Sequence, residues 1–202
     1  KTGLDSLHVQ LGSGSITAQD NFVLETKELQ ITTASGSIKW HATKAEHMRV
    51  QAKSGSIKLN DIEADLEVEA SSGRIELENY EGRAALAANS GSVKMQNVEG
   101  AISAATGSGS VKLEKCSGTV ALATGSGSVT VDDLEGCGSF ATGSGSIKVE
   151  MTGVTGDVSL DSGNGSARLT LPKELSFTLE AKSGSGSIRR GQEATEEKRT
   201  SA

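Results

Sequence analysis

The sequence predicts an all-β fold, a parallel β-helix built as a solenoid of about ten coils of roughly 18 residues. Three observations lead there. The signal Gly-Ser-(Ile/Val) recurs at Gly91, Gly109, Gly127 and Gly145, each 18 residues after the last. Each copy is followed by apolar and polar residues in alternation, the pattern of a half-buried strand. The apolar content is Val, Ile, Leu and Ala with only 2% aromatics, which suits a narrow interior of stacked small side chains rather than a globular core.

Extending the phase outward gives ten copies, from Gly14-Ser15-Ile16 through Gly36, Gly55 and Gly73 to Gly165-Ser166-Ala167 and Gly186-Ser187-Ile188. The spacings are 22, 19, then 18 five times, then 20 and 21, regular in the middle and loose at the ends, as expected of terminal coils. Residues 1–188 therefore read as a single β-helix domain with irregular terminal coils. Residues 189–202 read as a disordered charged tail, because they are polar and unpatterned.

Within a coil the first strand places Ile57, Ile75, Val93, Val111, Val129 and Ile147 inward, with Leu59, Leu77, Met95, Leu113, Val131 and Val149 two residues on. A turn containing Asp61, Asn79, Asn97 or Asp133 follows, then an apolar column of Ile62, Tyr80, Val98, Cys116 and Leu134. After a recurring glycine (Gly82, Gly100, Gly118, Gly136), the second strand turns Leu66, Ala84, Ile102 and Val120 inward. Val68, Leu86, Ala104, Leu122 and Phe140 come next. Asn89, Gly107, Gly125 and Gly143 share one position, and we expect a left-handed backbone there, since Gly and Asn tolerate positive φ.

One coil cannot bury its apolar face alone. Stacked coils pair equivalent strands in parallel register, ~4.8 Å apart, and the interior side chains form ladders. A left-handed β-helix would show an aliphatic residue every six positions, which the offsets here do not. A calcium β-roll would need Asp where this chain has Gly-Ser-Gly-Ser. At the ends we expect strands at Leu7–Leu11, Phe22–Leu24 and Leu29–Ile31, an excursion at Ala18–Asn21 and a short loop at Lys44–His47.

The cadence Gly-Ser-Gly-Ser-(Ile/Val)-x-(Leu/Val), ending in the Leu-Pro, strand, Gly-Ser-Gly module from Ser166 to Ile188, resembles the bacterial adhesin-type β-helix family of the DUF4097 kind over residues 4–188. A related bacterial head-domain family shares the architecture. The resemblance implies a single-stranded right-handed parallel β-helix on an exported or membrane-anchored protein: cell surface, periplasm or extracellular. No catalytic residues travel with it.

Two outer faces are candidates for binding. Lys39, Lys58, Lys94, Lys112, Lys148, Arg168 and Arg189 form a basic ridge, interrupted by Glu76 and Thr130, that could grip an acidic surface polysaccharide. Glu78, Glu114, Asp132 and Glu150 lie on the same face and would neutralise it. On the second strand the outward residues are Ala85, Ala87, Ser103, Ala105, Ala121, Ala123, Ser139 and Ala141, a flat face suited to docking a partner protein. An ice-binding face would show outward threonines instead.

Cys116 reads as a small buried hydrophobe, and a Cys116–Cys137 disulfide is geometrically conceivable. His8, His41 and His47 read as surface histidines, with a metal site near His41, His47 and Glu46 as the alternative. Asp61, Glu63 and Asp65, and Asp132, Asp133 and Glu135, read as solvated turns that offer calcium too few converging oxygens.

The net charge of −6 and pI near 5.2 argue against nucleic acid as a partner. No apolar run reaches the ~18 residues of a membrane span, so membrane attachment would need a segment outside this sequence; the start at Lys1 suggests such a targeting segment upstream. No Gly-x-Ser-x-Gly elbow or phosphate loop precedes a helical pattern, and no cofactor is expected. The reading is a non-enzymatic, exported structural or adhesive module. The alternatives are a carbohydrate-active β-helix enzyme, which the scarcity of aromatic sugar platforms disfavours, and an envelope regulatory or sensing domain that docks a partner.

Overall fold

A computed structural model describes residues 4–18, 23–172, 182–185 and 188–190. The strands are β1 (Leu4–Ser13), β2 (Ile16–Thr17), β3 (Leu24–Ser35), β4 (Ile38–Ser54), β5 (Ile57–Ser72), β6 (Ile75–Ser90), β7 (Val93–Thr106), β8 (Val111–Ser126), β9 (Val129–Ser144), β10 (Ile147–Asn164), β11 (Ala167–Thr170), β12 (Lys182–Ser185) and β13 (Ile188–Arg190). The described residues contain no helix. From β3 to β11 each strand pairs in parallel with the next, with β1 on β3, β2 on β4, β12 on β10 and β13 on β11, to make a solenoid of about nine turns. The tenth Gly-Ser signal, Gly186-Ser187, lies outside the described residues. So do 191–202 of the expected tail, 19–22 of the expected excursion and strand, and the Leu-Pro module from 173 to 181. Strand β13 carries Arg189 and Arg190, pairing Ala167 with Ile188 and Arg168 with Arg189.

The register is the sequence phase made physical. Ile57, Ile75, Val93, Val111, Val129 and Ile147 lie opposite one another in turn, as do Leu59, Leu77, Met95, Leu113, Val131 and Val149. All are buried and belong to one continuous core. Each coil therefore lends its apolar face to two neighbours, which is how stacked coils hold structure that a single coil could not. Cys116 sits in this core between Val98 and Leu134.

The left-handed residues are not where the sequence placed them. Asn89, Gly107, Gly125 and Gly143 do not take positive φ; Asp61, Asn79, Asn97, Lys115 and Asp133 do, at 53–60°, and so does Ala42 at 54°. The glycines at 107, 125 and 143 answer to proximity instead. A Cβ on Gly125 would lie 2.6 Å from the carbonyl oxygen of Gly107 one coil away. The short loop expected at Lys44–His47 is also absent. These residues stay within β4, and the extra residue of that coil is absorbed as a register shift between Lys44 and His47 against Glu63 and Asp65.

An inward column escaped the sequence reading. Thr106, Thr124, Thr142 and Ser162 are buried at the end of the second strand. Their hydroxyls donate to the carbonyl oxygens of Gly91, Gly109, Gly127 and Gly145 at 2.9, 2.8, 3.0 and 3.3 Å, tying each coil's end to the corner of the same coil. A buried hydroxyl without such a partner would be costly, so these residues satisfy themselves while closing the turn.

Candidate functional site

The outer surface consists of in-register columns, and three of them bear on function. The basic column runs Lys39, Lys58, Glu76, Lys94, Lys112, Thr130, Lys148 and Arg168 along the stack. A carboxylate column two residues along lies close enough to engage it. Lys58 faces Glu76 at 3.9 Å and Glu78 at 3.4 Å, and Lys94 faces Glu114 at 3.6 Å. Lys112 pairs with Glu114, and Lys148 with Asp132 at 2.9 Å and Glu150 at 3.7 Å. The hydrogen bond from Lys112 holds the Glu114 carboxyl below its ordinary range, and the same bond raises the Lys112 ammonium. The Asp132 carboxylate likewise raises Lys148. An acidic polymer docking here would have to displace these partners.

The small-residue face is as regular and carries no such network. Ala85, Ser103, Ala121 and Ser139 form one column, and Ala87, Ala105, Ala123 and Ala141 the next. All are exposed except Ala141, which is half-buried. The face has a definite edge. One coil before Ala85 and Ala87 the same columns hold Glu67 and Glu69, and one coil earlier Arg49 and Gln51. Arg49 pairs with Glu67 at 3.4 Å and Glu69 at 3.6 Å, and Gln51 donates to Glu69 at 2.6 Å. Charged coils thus give way abruptly to four coils of Ala and Ser. On the adjoining corner a shallow groove runs from Gln10 and Leu11 past Ala34, Lys53 and Ser71 to Ala105.

The third column is a carboxylate ladder that the sequence reading split into isolated acidic turns. Glu63, Glu81, Glu99 and Glu135 share one register position, with Ser117 between the last two. The signal was present: each lies eight residues after its corner glycine. Glu63 is held by Lys44, whose ammonium it raises. Beside this ladder lie the left-handed turn residues, and a shallow trough lined by both follows the stack.

The remaining candidates sit apart from one another. Cys116 and Cys137 are both free thiols; Cys116 faces Leu134 while Cys137 faces Thr119, with 3.6 Å from its sulfur to the Thr119 hydroxyl. His41 Nδ1 lies 3.0 Å from Asn60 Nδ2 and 3.3 Å from Asp61 Oδ2, and His47 Nδ1 lies 3.9 Å from Asp65 Oδ2. His8 is in β1, against Gln30. Among the described residues no three His, Cys, Asp or Glu side chains come together as metal ligands would. Asp132 falls in the column of Glu114 and Glu135 in that of Ser117, while Asp133 takes the left-handed turn between them.

The model of a family described as Toastrack DUF4097 matches residues 1–116 and, in a second overlapping match, residues 64–202. No curated protein and no solved structure matches the chain.

Proposed function

This chain belongs to the Toastrack DUF4097 family, and we propose that it is a non-enzymatic, exported β-solenoid that docks a partner protein through its flat Ala/Ser face. The observation that supports this reading is the bounded run of four coils at Ala85–Ala141 on which two adjacent columns hold only Ala and Ser. Such a surface loses little on desolvation, because it carries no charge to strip of water and little side-chain entropy to freeze. The basic ridge supports a polyanion partner less well, since Lys58, Lys94, Lys112 and Lys148 already hold carboxylates. The arrangement also favours a scaffold over a carbohydrate-active enzyme. Carboxylates on the described surface neutralise lysines or, as Glu63, Glu81, Glu99 and Glu135, repeat at one register position along a shallow trough, which supports a repeating surface better than a single acid–base pair set across a sugar bond.

The test is a capture experiment from envelope extracts of the source cells. Wild type, Ala123→Glu and Lys112→Glu would be immobilised and their bound proteins compared. A partner retained by wild type and Lys112→Glu but lost from Ala123→Glu is the expected result. Equal recovery from all three removes the docking face from the reading, and loss from Lys112→Glu alone transfers the role to the basic ridge.

A further inference from the structure

We propose that the solenoid opens locally in one set of coils: those of residues 36–90 part before those of residues 91–164, because a buried latch at the corner is present in the second set and missing from the first. The latch is the hydroxyl that ties the end of a coil to the glycine at its start. Thr106, Thr124, Thr142 and Ser162 donate it to the carbonyl oxygens of Gly91, Gly109, Gly127 and Gly145. The register carries the same column back through Ala88, Ala70 and Ala52. All three are buried as the threonines are, and none has a hydroxyl to give. The coils that start at Gly36, Gly55 and Gly73 are therefore closed without this bond.

The spacing of the corners follows the same division. There the glycine amide donates to a carbonyl oxygen one coil on. The distance is 3.1 Å at Gly36, 3.2 Å at Gly55 and 3.3 Å at Gly73, the three coils that end in alanine. It is 3.0 Å at Gly127 and Gly145, whose coils end in Thr142 and Ser162. It is also 3.0 Å at Gly14, where Thr33 fills the column and donates to the Ser35 carbonyl oxygen at 3.3 Å. Corners with a hydroxyl in the column are drawn closer than corners without one.

Surface contacts do not reverse this difference. The unlatched coils carry the ion pairs of Lys44 with Glu63 and of Arg49 with Glu67 and Glu69. These side chains are exposed, and such pairs contribute little. The latch hydroxyls are buried, so water does not freely replace a lost one. In a stacked array each coil is coupled to its neighbours alone, so three adjacent weak corners make one region of low stability. Three of the four rungs of the Ala/Ser face, at Ser103, Ala121 and Ser139, belong to latched coils. Most of that face thus stays ordered while the charged coils beside it open.

Native-state hydrogen exchange on the full chain, read by mass spectrometry, tests this. The comparison is between peptides within 57–90 and within 111–144, each a pair of coils flanked by others on both sides. In wild type the slowest amides of 57–90 should exchange at least about fivefold faster than those of 111–144, after correction for intrinsic rates. Thr124→Val keeps the branched shape and loses the hydroxyl, so exchange in 111–144 should rise about fivefold. Thr124→Ser keeps the donor that Ser162 already supplies in this column, and its exchange should stay below that of Thr124→Val. Ala88→Ser adds a donor beside Gly73 and should slow exchange in 57–90. Wild-type exchange in 57–90 as slow as in 111–144 overturns the proposal. So does equal exchange in Thr124→Val and Thr124→Ser, or an Ala88→Ser protein that exchanges as wild type does. The wild-type comparison and Ala88→Ser decide the matter even if Thr124→Val does not fold.

Discussion

Asn97 donates a hydrogen bond from Nδ2 to Oδ1 of Asn79, 3.0 Å away and one coil earlier. Asn79 in turn donates to Asp61 Oδ1 at 2.8 Å. All three hold left-handed backbone, φ 53–54°, a conformation Asn and Asp tolerate better than other residues with a Cβ. Lys115 occupies the next rung at φ 55° with neither advantage, and it separates Asn97 from Asp133. Lys115→Asn should therefore relieve strain and extend the ladder, stabilising the protein by about 1 kcal/mol. Urea unfolding would show a higher midpoint with unchanged slope. Lys115→Ala is the control: an equal gain there would mean that loss of the charge, not the Asn, is responsible.

Gly109→Ala should be severely destabilising for a reason unrelated to its own torsion angles. Gly109 is not among the positive-φ residues, yet a Cβ on it would lie 1.9 Å from the carbonyl oxygen of Gly91. Backbone on backbone cannot yield without parting the coils. We expect a loss of at least about 3 kcal/mol, read by urea unfolding, against almost none for the exposed neighbour Ser110→Ala. A Gly109→Ala protein that melts with wild type would mean the corners are spaced more loosely than the structure has them.

Gly138 and Phe140 share a space. Gly138 stands in the column where earlier coils place Ala84, Ile102 and Val120, and Phe140 succeeds Leu122 in the next one. A Cβ on Gly138 would meet the Phe140 ring at 3.1 Å and the Val120 carbonyl oxygen at 2.3 Å. The fully buried ring thus fills volume that a Val or Ile vacates. Phe140→Leu should leave a void costing about 1–2 kcal/mol, and Gly138→Val should cost more. Combined, they should couple favourably by at least about 1 kcal/mol in a double-mutant cycle. Strict additivity would show that the backbone contact alone requires the glycine.

These pairs mark how far the sequence could be read. Ile57, Val93, Val111 and their partners follow from period alone, because parallel stacking repeats one chemical choice at one place. Gly138 beside Phe140 breaks the period in two columns at once, and only their contact shows that one break compensates the other. Glycine signals both positive φ and close approach, and the sequence does not say which of the two a given column answers. Gly125 and Gly143 serve the second need, while Asp61 and Asn79 meet the first. The outer faces were legible as columns, but the engagement of Lys94 and Lys112 by one carboxylate, Glu114, depends on side-chain reach across coils.

Cys116 gives the fold an alkaline limit. Burial pushes its thiol from the ordinary 9.0 up to about 11. As pH rises through 9 the unfolded chain releases this proton first, so the folded state, which keeps it, loses relative stability until about pH 11. The slope from this one group is at most ~1.4 kcal/mol per pH unit. Tyr80, also raised by burial and donating to the Ala64 carbonyl oxygen at 2.6 Å, extends the decline upward. Cys116→Val matches the Val98 rung beneath it and removes the thiol's share. Its urea midpoint should equal that of wild type at pH 8 and exceed it at pH 10.5, and an identical pH dependence in both proteins would rule the thiol out. A thiol reagent at pH 8 gives an independent reading: it should label the half-buried Cys137 in the folded protein and reach Cys116 only after unfolding.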